Sequence, residues 1–195
     1  MINLMDKIKL PSDRFEMRLS GSGGQGMILA SVIFSEAIGT GTNNNVSQSQ
    51  SYGPEARGGA SKSDVVVSPS EIFYPKAIQL DLLLAMTQEA LDSYFSALKD
   101  HGILIIDNVL VTHIPTDDYY GLPFTRLARE ECGHIMVANV IALAAIAEIT
   151  GLVGREALEQ AVLARAPRGT EEKNKKAIEV GFREAAKLKA MRKKK

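Results

Sequence analysis

Along the chain, runs that alternate apolar and polar residues are interleaved with runs whose apolar positions recur every three or four residues. The change from one period to the other marks where strands give way to helices. Residues 15–19, Phe15-Glu16-Met17-Arg18-Leu19, alternate as a half-buried strand would. Residues 27–38 carry Leu29, Ile33 and Ala37 at i, i+4 and i+8 with Val32 alongside, which predicts a helix buried on that side. Between them lies Gly21-Ser22-Gly23-Gly24-Gln25-Gly26, so strand, glycine turn and helix make the first half of a βαβ unit. After the stop Gly39-Thr40-Gly41-Thr42, residues 44–50 read as a strand with no apolar face, suited to an edge or a site-lining position. Residues 61–67 and 71–74 read as two strands joined by the turn Ser68-Pro69-Ser70, a hairpin inside an otherwise α/β pattern.

Residues 81–86 and 102–107 are continuous apolar runs of strand length, the mark of parallel strands buried on both faces. The helix predicted between them, residues 88–99, carries Leu91, Phe95 and Leu98 on one side and completes a second βαβ unit. Residues 108–120 are irregular, and 124–132 look helical. Residues 135–147 are apolar nearly all round and predict a buried helix whose alanines permit close helix or subunit packing. Two more helices, 155–164 and 171–189, flank the breaker Pro167-Arg168-Gly169. The expected architecture is α/β: a three-layer α/β/α domain with a Rossmann-like, mixed and mostly parallel sheet. A short N-terminal arm over residues 1–13 precedes a single domain over 14–195, ending in the C-terminal helices.

Composition changes this picture little. The 195 residues are 45% hydrophobic and 24% charged, and a globule of that size buries roughly 70% of its unfolded surface. Lys plus Arg and Asp plus Glu each total 23, so no global field draws the chain to nucleic acid or to an anionic membrane. The basic end, Lys187 to Lys195, is local and reads as a solvated helix terminus whose cations complement the dipole. A single cysteine, Cys132, excludes an intrachain disulfide and an all-cysteine metal or iron–sulfur site, and points to a reducing cytoplasm. The N-terminus lacks a continuous apolar run, and the longest apolar block, 135–149, is interrupted by Asn139 and Glu148; a soluble, unexported protein is expected.

The candidate chemistry sits in two glycine-rich stretches. Gly21, Gly23 and Gly26 satisfy G-x-G-x-x-G between a strand and a helix, where backbone amides at a helix N-terminus can face an anion. A nicotinamide site also needs an acid at the end of the second strand, and no carboxylate stands between Glu36 and Glu55. A phosphate-bearing ligand of another kind and a bare structural turn both remain open. The second stretch, Ser51-Tyr52-Gly53-Pro54-Glu55-Ala56-Arg57-Gly58-Gly59, brings an aromatic ring, a carboxylate and a guanidinium into one short loop. Arg57 offers a planar fork to a phosphate or carboxylate, or is an exposed loop arginine. Glu55 holds Arg57 or a loop amide. His101, His113 and His134 have no metal-ligand spacing, and Cys132 reads as a small buried apolar residue rather than a nucleophile. No self-sufficient catalytic constellation and no metal site is found.

Three segments carry a family likeness: residues 18–26, residues 50–61 with the tyrosine-glycine-proline-glutamate-alanine-arginine-glycine-glycine loop, and residues 84–90. They resemble the gamma subunit of 2-oxoacid:ferredoxin (acceptor) oxidoreductases, and their order and spacing extend over about residues 14 to 185. The proline-glutamate-alanine-arginine form of the loop is most similar to the 2-oxoglutarate enzymes, with branched-chain 2-oxoacid and indolepyruvate oxidoreductases as alternatives. The resemblance implies that 2-oxoacid, coenzyme A and oxidised ferredoxin give acyl-CoA, carbon dioxide and reduced ferredoxin. It places thiamine diphosphate and iron–sulfur clusters in partner subunits, alpha, beta and a ferredoxin-like delta subunit or ferredoxin, with no cofactor bound by this chain alone and no catalytic residue of its own. A homodimer of the isolated, inactive chain is a further expectation. The resemblance implies CoA binding and active-site closure for this chain: Ser22, Gly23, Gly24, Gln25 and Gly26 present amides to the pyrophosphate, and Arg57, Gly58 and Gly59 clamp a phosphate. Tyr52, Gly53, Pro54 and Glu55 shape the loop that meets the thiamine-bearing subunits. An independent NAD(P)-dependent dehydrogenase and a non-catalytic scaffold are the more distant alternatives.

Overall fold

The computed structural model describes residues 13–50 and 60–192. The arm expected over 1–13 lies, apart from Asp13, outside the described residues. Within them the order is β1 (Phe15–Ser22), α1 (Met27–Gly41), β2 (Asn45–Gln50), β3 (Ala60–Ser68), β4 (Leu80–Ala85), α2 (Gln88–Tyr94), β5 (Leu98–Asp107), β6 (Tyr120–Leu122), α3 (Phe124–Glu130), α4 (Ala138–Thr150), α5 (Arg155–Arg165) and α6 (Glu171–Arg192). Single 3₁₀ turns at Phe95–Ala97 and Ile135–Val137 precede β5 and α4.

The described strands form one sheet in the order β2-β3-β1-β4-β5-β6. β4, β5 and β6 continue from β1 in parallel, whereas β3 runs antiparallel to both β1 and β2. The expected mixed, mostly parallel sheet is present, with the reversed strand in a different hairpin. β3 turns back on β2 rather than on residues 71–74, which form no strand. The stretch that follows them, 76–79, is tied down by side chains: the Glu16 carboxylate accepts the amides of Ile78 and Gln79, and Arg14 donates to the Lys76 carbonyl at 2.9 Å.

One face of the sheet carries most of the helices. Phe15, Met17, Leu19, Val65, Val67, Leu82, Leu84 and Ile105 pack there under buried residues of α1, α3, α4, α5 and α6. On the other face, Leu80, Leu83, Leu104 and Ile106 are covered by Ala90, Leu91 and Tyr94 of α2. α4 is the buried centre of the helical layer: every residue from Ala138 to Ala147 is buried. Its close approach to α6 depends on Gly181, where an added Cβ would lie 2.4 Å from the Ile141 carbonyl oxygen and 2.6 Å from the Ala144 Cβ.

Three local departures from the sequence reading have physical causes. α1 buries Met27, Ala30, Ile33, Phe34, Ala37 and Ile38, so its inward face is rotated from the expected one and Leu29 is 45% exposed. α2 ends at Tyr94 rather than running to 99, because β5 begins at Leu98 to pair with Leu80 of β4. β1 is buried on both faces rather than one, since its polar positions are satisfied internally. Arg18 makes a two-pronged ion pair with Asp64 of β3 (2.7 and 2.8 Å), and Glu16 receives the two amides just described.

The polar composition of β2 has a similar origin. As expected, it occupies an edge of the sheet. Gln48 donates to Ser63 and Ser31 at 2.8 and 3.2 Å, and the two serine hydroxyls lie 2.6 Å apart between β3 and α1. This buried polar cluster replaces apolar packing along one side of the edge strand.

Candidate functional site

The site is built at the carboxyl ends of the parallel strands, where an open α/β sheet leaves a crevice between the turns that follow its strands. β1 delivers Gly21 and Ser22 there, opposite Ser61 and Ala60 of β3. The turn depends on its glycines in different ways. A Cβ at Gly21 would lie 2.3 Å from the Gln25 side-chain oxygen and 3.1 Å from Met86 Cβ, whereas Gly24 and Gly26 adopt φ of +91° and +72°, which L side chains rarely occupy. Among the described residues, no atom lies within 4 Å of a Cβ built at Gly23 or Gly24.

Gln25 folds back over the turn: its side-chain oxygen accepts the Ser22 amide at 2.8 Å, and its own amide donates to the Ser22 carbonyl at 3.2 Å. Gly26 then caps α1, its carbonyl receiving the Ala30 amide at 2.9 Å. α1 has no acidic residue in its first turn, so its positive dipole end is not offset by a carboxylate of its own. The start of α4 reaches the same place. The Asn139 side-chain amide lies 3.5 Å from the Gly26 carbonyl and 2.7 Å from where a Gly26 Cβ would sit, while Asn139 Oδ1 accepts the Val140 amide at 2.8 Å. Two helix N-termini therefore meet at the glycine turn, and Asn139 joins them. Sequence reading passed over Asn139 as a polar interruption in an apolar block; that interruption was the available signal.

The other strand ends are fastened around the turn. Met86, after β4, donates its amide to the Ser20 carbonyl at 2.9 Å, and Thr87 caps α2. Gln88 accepts the amides of Thr112 and His113, both at 3.0 Å, which pins the irregular segment after β5. Asp107, fully buried at the end of β5, accepts the amides of Val109 (3.0 Å) and Thr125 (2.9 Å) and so ties β5 to the start of α3. Burial raises its carboxyl above the ordinary value, and the two amides oppose that rise.

Tyr52, Gly53, Pro54, Glu55, Arg57, Gly58 and Gly59 lie outside the described residues. The strands on either side of them are described, and they bring the loop's two stems to this end of the sheet: Gln50 closes β2 opposite Ser63, and Ala60 opens β3 opposite Ser22. The β3 stem is buttressed. The Tyr94 hydroxyl donates to the Ala60 carbonyl at 2.9 Å, and the Tyr94 ring lies beneath both Arg18, at 4.9 Å, and Lys62, at 5.2 Å. The buried Arg18–Asp64 pair is thereby linked to the base of the loop.

The remaining candidates are dispersed. His101 is exposed on β5, His113 is held beside Thr112, and His134 accepts the Met136 amide before α4. Cys132 is buried in the helical layer, and that burial pushes its thiol up, away from the thiolate a nucleophile needs. Among the described residues no group of three or more His, Cys, Asp or Glu is placed to hold a metal ion, and no helix is long and apolar enough to cross a membrane.

The turn thus sets backbone amides at a helix N-terminus, a position suited to an anion, and carries no carboxylate, imidazole or thiol of its own. It also departs from the nicotinamide pattern in topology. β3 separates β2 from β1, so the end of β2, Gln50, stands two strand spacings from the turn, about 9.5 Å. A ribose-binding acid has no place beside the turn from that strand. The fold defines a Rossmann-like α/β protein with a glycine turn at the carboxyl end of β1, beside the stem at which β3 begins.

A family model described as pyruvate ferredoxin/flavodoxin oxidoreductase matches residues 16–184, and the chain belongs to that family. It is 46% identical over 179 residues to the 2-oxoglutarate synthase subunit KorC of Methanocaldococcus jannaschii, covering 90% of this chain and 96% of that one. The crystal structure of the keto/oxoacid ferredoxin oxidoreductase gamma subunit from Geobacter sulfurreducens superposes with a TM-score of 0.82 at 45% identity, covering 91% of this chain and 99% of that one. The 2-oxoglutarate:ferredoxin oxidoreductase of Magnetococcus marinus, solved with 2-oxoglutarate, coenzyme A and succinyl-CoA bound, gives a TM-score of 0.77 at 18% identity. It covers 90% of this chain and 31% of that one, a likeness that speaks to the fold alone. The chain is a subunit of an oxidoreductase complex.

Proposed function

We propose that this chain is the gamma-type subunit of a 2-oxoglutarate:ferredoxin oxidoreductase and contributes the phosphate-binding part of its coenzyme A site. The observation that carries the reading is the glycine turn at the meeting of two helix N-termini, with the stem of the Arg57 loop paired directly beside it at Ser22 and Ala60. CoA is rich in phosphate and the turn is suited to anions. Two other curated relatives of this chain, at 43% identity, are also named 2-oxoglutarate synthase subunits, which supports 2-oxoglutarate as the oxoacid. The Magnetococcus relative, whose longer chain includes a region of this fold, was solved with CoA bound.

The single, buried cysteine does not fit an iron–sulfur cluster, so the clusters belong to partner subunits in this reading. Thiamine diphosphate, also assigned to a partner, supplies the decarboxylation chemistry when bound. This chain's own part is binding and positioning. The amides of Gly23 and Gly24 and the first turn of α1 meet the pyrophosphate, Gln25 fixes the turn by holding Ser22, and Arg57 with Gly58 and Gly59 clamps a phosphate. Tyr52, Gly53, Pro54 and Glu55 shape the face toward the thiamine-bearing subunits and exclude water when the complex closes.

The test is Arg57→Ala in the assembled complex. Loss of a charge-assisted contact to phosphate raises KM for CoA about tenfold or more and leaves KM for the oxoacid unchanged. If neither KM for CoA nor turnover moves, the clamp role is wrong.

A further inference from the structure

We propose that Tyr94 is a positioning residue for the glycine turn: its hydroxyl holds the Ala60 end of β3 against Gly21 and Ser22, and so sets how tightly the turn takes a phosphate. The inference rests on the coenzyme A reading given above. Ala60 and Ser22 are the last rung of the β1–β3 ladder, beside the turn. The Ser20 carbonyl points toward β4, where it accepts the Met86 amide. Backbone groups two residues apart along a strand point the same way, so the Ser22 amide also faces away from β3. Its opposite number, Ala60, turns its carbonyl away from β1, and no ladder bond crosses this rung. β2 does not supply one either, because its last residue, Gln50, pairs with Ser63, three residues short of Ala60.

Two side chains take up the groups that the sheet leaves over. Gln25, in the turn itself, accepts the Ser22 amide at 2.8 Å. Tyr94, at the end of α2, donates its hydroxyl to the Ala60 carbonyl at 2.9 Å, and both residues are buried. The Tyr94 ring is seated against Arg18 and Lys62, which fixes the direction of its hydroxyl. Ser61 carries the position of the strand end across to the turn, its hydroxyl donating to the Gly21 carbonyl at 3.3 Å. Without the Tyr94 hydroxyl, the Ala60 carbonyl is left buried and unpaired, and the strand end gains by opening toward water. Gly23 and Gly24 stand one and two residues beyond that rung, so their amides move with it. An anion site made of backbone amides depends on where that backbone is held.

The experiment compares Tyr94→Phe with the parent in the assembled complex. Phenylalanine keeps the ring against Arg18 and Lys62 and removes only the hydroxyl. Amides 20–23 and 60–62 are expected to exchange hydrogen about tenfold faster, a readout that does not depend on the identity of the ligand. KM for CoA is expected to rise about threefold to tenfold, with kcat and KM for 2-oxoglutarate within about twofold of the parent. Ile178→Val, which removes one buried methylene from the helical layer, is a destabilised control and is expected to leave KM for CoA unchanged. Unchanged exchange in Tyr94→Phe overturns the inference whatever the ligand, and so does an equal rise in KM for CoA in Ile178→Val. A KM for CoA that rises in Arg57→Ala but not in Tyr94→Phe also overturns it, whereas a KM unmoved by either variant overturns the CoA reading on which it rests.

Discussion

Replacing Gly26 by alanine tests whether the two helix N-termini meet as described. The methyl group encounters two separate obstacles. At φ of +72° an L residue is strained by about 1–2 kcal/mol, whatever surrounds it. The methyl carbon also falls 2.7 Å from the Asn139 side-chain nitrogen, so one of them must give way, an overpacking that typically costs about 1–3 kcal/mol. Gly26→Ala is therefore expected to destabilise by about 2–5 kcal/mol, the range spanned by those two effects together. Asn139→Ala alone loses the Val140 contact and the long contact to Gly26, about 1 kcal/mol. In the double variant the steric obstacle is gone and only the backbone strain remains. The two changes should then be less than additive by the relieved overpacking, about 1–3 kcal/mol, measured by urea denaturation of all four proteins at a shared m-value. Additivity within about 0.5 kcal/mol would mean that Asn139 does not occupy the space beside Gly26 and that α4 does not reach the turn.

Three further outcomes follow from the packing. Arg18→Met leaves Asp64 buried without its partner and should destabilise by about 3–5 kcal/mol, whereas Arg18→Met/Asp64→Leu should recover most of that loss in the same denaturation assay. Gly181→Ala drives a methyl against the Ile141 carbonyl and should lower Tm; with about 1–3 kcal/mol of overpacking and about 2–4 °C per kcal/mol at this size, a shift under about 2 °C would contradict the close α4–α6 contact. Asp107 has its folded-state pKa raised by burial, so its contribution to stability is fullest below its ordinary value of 3.8 and is lost as pH rises through the raised value. The stability difference between the parent chain and Asp107→Asn should accordingly shrink as pH increases from that point; a difference that grows would reverse the sign of the shift.

The parts of the fold that follow from local pattern were legible in the sequence. The runs ending at Met86 and Asp107 could be read as buried parallel strands because nothing polar interrupts their centres, and the block around α4 announced a buried helix by being apolar on all sides. What pattern alone missed depends on partners distant in sequence. Arg18 looks like the solvent side of an alternating strand until Asp64 and Tyr94 are placed around it. Residues 71–74 have strand-like composition, but no described strand pairs with them, and Glu16 and Arg14 bond instead to the backbone of 76–79 that follows. Leu29 fits a helical stripe, yet the inward direction of α1 is fixed by where Gly26 and Gly41 approach Asn139 and Ala157, which no single-helix pattern contains. The glycine turn was legible as a turn before a helix. Its joining to α4 through Asn139, and to the base of the second loop through Ser22 and Ala60, required the sheet register.

The most direct measurement purifies the native complex through this chain and follows reduction of a viologen dye. Partners that bind thiamine diphosphate should co-purify, and dye reduction should require both 2-oxoglutarate and CoA, with succinyl-CoA formed as dye is reduced. Recovery of the chain with no thiamine-binding partner, or dye reduction that proceeds equally without CoA, would contradict the assignment of this subunit to a CoA-dependent 2-oxoglutarate oxidoreductase.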